Sequence, residues 1–176
     1  MTTRYLQTAG RGLAILLTVL AAASRAQAPD ANPGRLTLVQ ANTIVTAAIE
    51  RARELDYRPL TVVVLDDGGN LKAMQREDGA SMFRYDVAVG KAYAAVGMGA
   101  SSRYLAERAR DNPNFFITLA ATANGKFLPQ PGGVLIRDAD GNVLGAAGAS
   151  GAAGTEDEAA VAHGIRAAGL FTDLPD

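Results

Sequence analysis

A glycine-rich stretch occupies residues 132–169, in the C-terminal third of the chain, and limits the structures that this region can form. Two apolar runs within it flank residues 138–142, Asp-Ala-Asp-Gly-Asn, whose residue types favour a tight reversal between antiparallel strands. Glycine then recurs at every third position from 145 to 154, with only alanine and serine between. Such spacing lets a backbone approach another backbone closely. The stretch therefore predicts a β-hairpin whose second strand packs tightly against its neighbours.

A helix is expected directly after these glycines. Thr155 and Glu158 have the spacing of a capping box, which satisfies backbone donors at a helix start. Glycines before a helix also suit phosphate binding. Glu156 and Asp157 in the first turn would repel a phosphate, so the sequence favours close packing over nucleotide binding.

The N-terminal residues have the pattern of a secretory signal peptide. Arg4 and Arg11 precede an apolar run at 13–23, and small residues follow up to Ala26. The run is shorter than the roughly twenty residues of a membrane-spanning helix, which disfavours an uncleaved anchor. We expect cleavage after Ala26, a periplasmic or secreted protein, and no stable membrane span after cleavage.

Charge and composition exclude several classes of protein. Removing residues 1–26 takes away three arginines and no acid, so 14 basic residues face 18 acidic ones, a formal charge of −4. Nucleic acid is a poor partner for such a chain, since phosphate neutralisation needs a basic face. With no cysteine, the chain has neither a disulfide nor a thiolate metal site.

The region upstream of the hairpin predicts an α+β domain. Thr37 and Gln40 can cap a first helix, and residues 60–65 are an apolar, β-branched run expected of a central strand covered on both faces. A turn at 66–70 returns the chain as a more polar strand at 71–76. Strands joined by tight turns indicate an antiparallel sheet packed with helices.

The remaining elements are expected between this hairpin and the second one. Ser81 is a plausible cap for a second helix, and Ser101 and Ser102 for a third. Residues 125–129 predict a short strand. We expect a flexible leader at 27–35 and one domain at 36–172.

Three blocks of sequence follow one another in the order of a known family. They are LDDGGNLKAMQREDGA, VGKAYAAVGMGASSRYL and PGGVLIRDADGNVLGAAGASGAAGTEDEAAVAHGI. In this ordered set the chain resembles the GlcG/HbpS family, the haem-degrading or DUF336-type domain. The resemblance implies a profilin-like or PAS-like sheet, binding of haem or a related tetrapyrrole, sometimes haem degradation, and assembly into homo-oligomers.

Few side chains in the sequence are candidates for a ligand-binding or metal-binding role. Lys91 lies in the middle of a predicted helix, where a partly buried ammonium needs a carboxylate, a carbonyl or a ligand propionate. Alternatively, its stem covers apolar surface and its charge stays in water. His163, the single histidine, is expected to face away from its helix's buried stripe, and a metal-binding role is the alternative.

The leading hypothesis is an exported, non-covalent haem-binding protein that sequesters, senses or degrades haem. Lys91 or Arg76 would meet a propionate, and His163, Tyr85 or Met82 would be the iron ligand. This hypothesis rests on the family resemblance.

Two other hypotheses belong to different classes. One is a small-molecule enzyme that uses Asp78 and Lys91 as an acid/base pair. The other is an oligomeric scaffold, because a PAS-like sheet serves many roles.

Overall fold

The computed structural model describes residues 34–175. Within this range the chain forms five helices and four strands. In order they are α1 (Leu38–Glu54), β1 (Thr61–Asp66), β2 (Leu71–Arg76), α2 (Arg84–Met98), α3 (Ser102–Asp111), α4 (Pro113–Thr122), β3 (Gly133–Arg137), β4 (Val143–Ser150) and α5 (Gly154–Ala167). The predicted signal peptide and residues 27–33 of the predicted leader lie outside the described residues.

The four strands make one antiparallel sheet in the order β2-β1-β4-β3. The predicted α+β class is confirmed, and β1 is central as its apolar composition predicted. In the register of the sheet, Thr61 lies opposite Arg76 on one side and Ser150 on the other. This register places three polar side chains in a row across one end of the sheet.

Helices cover both faces of the sheet. Val62 and Val64 pack with α1 and α5, whereas Val63 and Leu65 pack with α2. Successive side chains of a strand point to opposite faces, which explains why the unbroken apolar run of β1 is needed. The result is three layers with two apolar interfaces.

Glycines allow α2 to lie close to the sheet. A Cβ at Gly148 would collide with the backbone carbonyl of Ala88, and a Cβ at Gly133 with that of Lys91. The predicted role of the glycine-rich stretch in close backbone approach is therefore confirmed.

The outer edge of β3 is covered by serine hydroxyls. The Gly133 N–H donates to Ser102 Oγ at 2.8 Å, and the Leu135 N–H donates to Ser101 Oγ at 3.1 Å. Ser101 occupies the N-cap position of α3, but its hydroxyl makes no capping bond there. The predicted side-chain cap is wrong because this hydroxyl satisfies the sheet edge instead.

The short strand predicted at residues 125–129 is also wrong. This segment is a loop, and the Leu128 N–H donates to the Gly90 carbonyl on α2 at 3.1 Å. Pro129 and Pro131 follow and supply no N–H for a strand ladder. The segment therefore packs on the helix rather than extending the sheet.

The capping box predicted for α5 from Thr155 and Glu158 does not form. The helix begins at Gly154, and the Ala153 N–H donates to the Glu156 carboxylate at 2.9 Å. Glu158 instead turns inward and pairs with Arg103. The predicted Ser81 cap is absent as well, since α2 begins at Arg84 without a side-chain cap.

None of the helices in residues 34–175 combines the length and apolar character required to cross a membrane.

Candidate functional site

A concave surface lies beside α2, and we call it the α2 cleft. Tyr85, Val89 and Tyr93 line it from α2. These residues are four positions apart, so they follow one another along a single face of the helix. Tyr85 and Tyr93 are only partly buried, and the cleft therefore has an aromatic wall that solvent reaches.

The opposite walls of the cleft come from two loops and the adjoining strands. Leu65, Gly69 and Leu71 contribute from the β1–β2 hairpin, and Lys126 from the loop after α4. The volume is about 630 Å³, within the range of about 300–1,000 Å³ typical of small-molecule sites. The size and the mixed lining suit an apolar ligand with an acidic edge.

Backbone geometry at Gly69 shapes one end of the cleft. Its φ is +76°, and a Cβ there would lie 3.0 Å from Tyr93 Cε2. A side chain at this position would be strained and would press on the tyrosine ring. Gly69 therefore holds the turn and leaves room for the ring.

Lys126 is the basic group of the cleft. Its side chain is exposed, and it makes no ion pair with any carboxylate of residues 34–175. Its ammonium is thus available to an acidic group on a ligand. Asp86 lies on the same cleft and gives it one acidic position.

Lys91, in contrast, is committed to the protein interior. Its side chain is 6% exposed, and Nζ donates to Asp157 Oδ2 at 2.7 Å and to the Ala149 carbonyl at 3.0 Å. Asp157 Oδ1 accepts from the Ala152 N–H at 3.0 Å. Burial raises the pKa of Asp157 above its ordinary value, against the opposing charge of Lys91.

This buried pair bears on two sequence-based expectations. The carboxylate and carbonyl needed by a buried Lys91 are supplied by Asp157 and Ala149, not by a ligand propionate. The carboxylate that pairs with Lys91 is Asp157 rather than the proposed partner Asp78, which lies exposed in the loop after β2. The pair also lies at 6% and 2% side-chain exposure, and both of its charges already have partners within the protein.

A second buried carboxylate lies next along α5. Glu158 is 3% exposed and accepts from Arg103 Nε at 3.0 Å. Burial raises the pKa of Glu158, whereas the hydrogen bond from Arg103 opposes that shift. The same bond raises the pKa of Arg103. This pair joins α3 to α5.

The other predicted site residues are dispersed. Tyr85 lies in the α2 cleft, but Met82 is exposed just before α2, and Arg76 donates through Nε to the Ala80 carbonyl at 3.1 Å. His163 is exposed on α5, the helix that packs on the opposite face of the sheet from α2. Iron ligation by Met82 or His163 stays a prediction.

No group of three His, Cys, Asp or Glu side chains able to hold a metal ion occurs in residues 34–175.

Sequence reasoning missed the cleft for an identifiable reason. An aromatic residue such as Tyr93 on an apolar helix face is expected in the core, and Lys126 lies in the segment predicted to be a strand. The spacing of Tyr85, Val89 and Tyr93 is visible in the sequence and indicates one helix face. That this face borders a cleft depends on where the two loops pack.

A family model described as haem degrading protein, HbpS-like, matches residues 36–166 of the chain. No curated protein matches this chain.

Solved structures share the fold. A PduOC:heme complex is 25% identical with a TM-score of 0.71, and the match covers 80% of this chain and 99% of that one. The structure of HbpS is 30% identical with a TM-score of 0.67, over 77% of this chain and 91% of that one. Protein ORFY of Klebsiella pneumoniae, a DUF336 protein, is 22% identical with a TM-score of 0.70, over 84% and 98%; this likeness concerns the fold alone.

Proposed function

We propose that this chain, which belongs to the HbpS-like family of haem degrading proteins, binds haem in the α2 cleft. The PduOC structure is named as a complex with haem, which supports the choice of ligand. The observation that carries the proposal is that Tyr85, Val89 and Tyr93, from one face of α2, line the same open cleft as Lys126. A flat apolar macrocycle with acidic substituents fits such a lining.

Each wall of the cleft would have a distinct part in binding. Val89 and Tyr93 would contact the apolar faces of the macrocycle, and Lys126 would meet a propionate. Tyr85 brings a phenol to the same cavity. Bound haem supplies a redox-active iron, and tyrosine is among the side chains that ligate such iron in proteins.

A hemin titration of the purified chain, followed by absorbance, tests the proposal. We expect a saturable spectral change in the wild type. Y85F should change the spectrum, because a phenol that ligates iron is lost, and K126A should weaken affinity by about tenfold, because a charge-assisted hydrogen bond is lost.

Control variants test whether the change in the hemin spectrum arises from residues of the α2 cleft. Y104F removes a tyrosine hydroxyl outside the cleft, where it donates to the Asp173 carbonyl at 3.4 Å, and should leave the spectrum unchanged. H163A tests the iron ligand that the sequence suggested. A spectrum lost in H163A and kept in Y85F would move the iron to α5 and contradict the proposed site.

We further propose that the protein acts outside the cytoplasm and assembles into homo-oligomers. Export is supported by the basic, apolar and small-residue order of residues 1–26. Assembly is supported by exposed apolar side chains such as Met82, Phe83 and Ile117. Fractionation of cells making the full chain, with the N-terminal sequence of the product, tests export. Light scattering of the purified product tests assembly, and a cytoplasmic, uncleaved monomer would contradict both.

A further inference from the structure

A row of polar side chains crosses the sheet at the end where α2 begins. Arg76 on β2, Thr61 on β1 and Ser150 on β4 are direct neighbours in the register. Residues directly opposite each other in antiparallel strands point to the same face. Thr61 shares its face with Val63, which packs with α2, so the whole row lies on the α2 side.

The first turn of α2 adds a cation to this row. Arg84 Nη1 lies 3.4 Å from Ser150 Oγ, a long hydrogen bond. The N-cap residue of α2, Phe83, offers no side-chain acceptor to the helix N–H groups. We call Arg76, Thr61, Ser150 and Arg84 the sheet-end row.

The charges of the sheet-end row are not neutralised within the described residues. Arg76 and Arg84 each make no ion pair with a carboxylate of residues 34–175. Arg76 Nε donates to a backbone carbonyl, and Arg84 attracts the Asp157 carboxylate only at longer range. Asp157 is itself bonded to Lys91. Each guanidinium therefore keeps N–H donors for an anion.

Thr61 provides an independent observation. Its side chain is 0% exposed, and its Oγ1 has no hydrogen-bond partner, the one such buried side-chain oxygen or nitrogen among the described residues. A buried hydroxyl without a partner costs free energy. A ligand oxygen between Thr61 and Ser150 would satisfy it.

We propose that the sheet-end row binds the carboxylate of an organic acid. Two guanidinium groups and two hydroxyls present donors to a planar anion, as carboxylate recognition requires. The neighbouring Asp157, which interacts with Arg84, disfavours a dianion such as phosphate. Met82 and Phe83, 74% and 67% exposed, lie directly before Arg84 and offer apolar surface to the body of the acid.

This site is separate from the α2 cleft, because none of its four residues lines that cavity. The carboxylate could belong to a free small acid or to a haem propionate; only the second source rests on the proposed haem function.

The test uses the purified full chain and butyrate, with 1-butanol as the matched ligand that lacks the carboxylate. Calorimetry should show saturable binding of butyrate, with a rise in Tm, and no binding of 1-butanol or inorganic phosphate. T61V and R84A should weaken butyrate binding by about tenfold or more. R110A removes an exposed arginine of α3 and should bind as the wild type does.

T61V separates binding from folding. It removes a buried hydroxyl that has no protein partner, so its Tm without ligand should equal or exceed that of the wild type. Three results would overturn the proposal: no saturable butyrate binding, T61V and R84A that bind as tightly as R110A, or saturable binding of phosphate without butyrate.

A parallel titration with hemin and hemin dimethyl ester distinguishes the two sources. If T61V and R84A weaken the binding of hemin but not the binding of the dimethyl ester, the haem propionate is the ligand of the sheet-end row. If hemin binding is unaffected by them and does not compete with butyrate, the ligand is a free acid. The butyrate titration contains no haem, so it tests the sheet-end row even if the chain does not bind haem.

Discussion

Lys91 Nζ lies 2.7 Å from Asp157 Oδ2, and this contact joins helices from opposite faces of the sheet. Lys91 belongs to α2 and Asp157 to the first turn of α5. The two side chains meet beside Gly132, where a Cβ would lie 2.8 Å from Lys91 Nζ. Gly132, directly before β3, has no side chain, and this leaves space for the ion pair between the two helices.

Breaking this pair should strongly destabilise the fold. D157A leaves the Lys91 ammonium buried without its carboxylate, and removal of one partner of a buried pair costs about 3–5 kcal/mol. Urea denaturation followed by circular dichroism measures the loss. E54A is the matched control, because Arg51 and Glu54 are also 2.8 Å apart but 39% and 61% exposed; it should cost about 0.5 kcal/mol or less. Equal losses in both variants would contradict the role of burial.

The pH dependence of stability should carry the signature of Asp157. Its pKa is raised above 3.8 in the folded protein by burial, so the folded chain binds the proton more tightly than the unfolded chain. The stability from this group is present below pH 3.8 and is lost as the pH rises through the folded pKa. We expect the free energy of unfolding of the wild type, relative to D157N, to fall as the pH rises above 3.8.

Asp138 should show the opposite sign and serves as the control. The side chain of Asn142 and nearby backbone N–H groups hold the pKa of Asp138 below its ordinary 3.8. Its stabilising contribution is present above that pH and is lost as the pH falls through the folded pKa. The wild type should therefore lose stability relative to D138N in acid. The same sign for both variants would refute the assignment.

A methyl group at Gly148 should force α2 away from the sheet. G148A places a Cβ against the carbonyl of Ala88 and 3.0 Å from the Ala92 methyl, and overpacking of this kind costs about 1–3 kcal/mol or more. G97A is the control on the same helix, since nothing lies within 4 Å of its Cβ position. It should be neutral or stabilising by about 0.5–1 kcal/mol. Thermal denaturation of both variants measures the difference, and a stable G148A would contradict the close approach.

Loss of the Ser102 hydroxyl should weaken the β3 edge. S102A leaves the buried Gly133 N–H without its acceptor, which we expect to cost about 1–3 kcal/mol. Amide hydrogen exchange at Gly133 should accelerate as well. Ser81 is exposed and makes no side-chain hydrogen bond within the described residues, so S81A should change neither measurement. Unchanged exchange at Gly133 in S102A would show that water replaces the hydroxyl.

Elements with local signals could be predicted from the sequence. Thr37 and Gln40 form the predicted capping box of α1. The turn at 138–142 forms as expected, with the Asn142 N–H donating to Asp138 Oδ1 at 2.8 Å. Each of these interactions lies within a few residues of chain, where side-chain type and spacing determine the geometry.

Local sequence patterns did not predict which residues cap the start of α5. Two overlapping pairs, Ala153 with Glu156 and Thr155 with Glu158, have the same three-residue spacing. The first pair forms the cap because Glu158 is drawn inward by Arg103 of α3. A partner 55 residues away, which no local pattern identifies, settled the choice.

Local patterns in the sequence predicted the capped start of α1, the antiparallel hairpins and the two-sided burial of β1, because periodicity and turn chemistry act over short distances. Three relationships come from tertiary packing instead. Lys91 pairs with Asp157, Tyr85 and Tyr93 share a cleft with Lys126, and Thr61 lies buried between Arg76 and Ser150. These relationships depend on strand register and helix packing, which bring together residues up to 89 positions apart in the sheet. The candidate sites therefore depend on tertiary packing, whereas many of the helices and strands that carry them can be predicted from local sequence patterns.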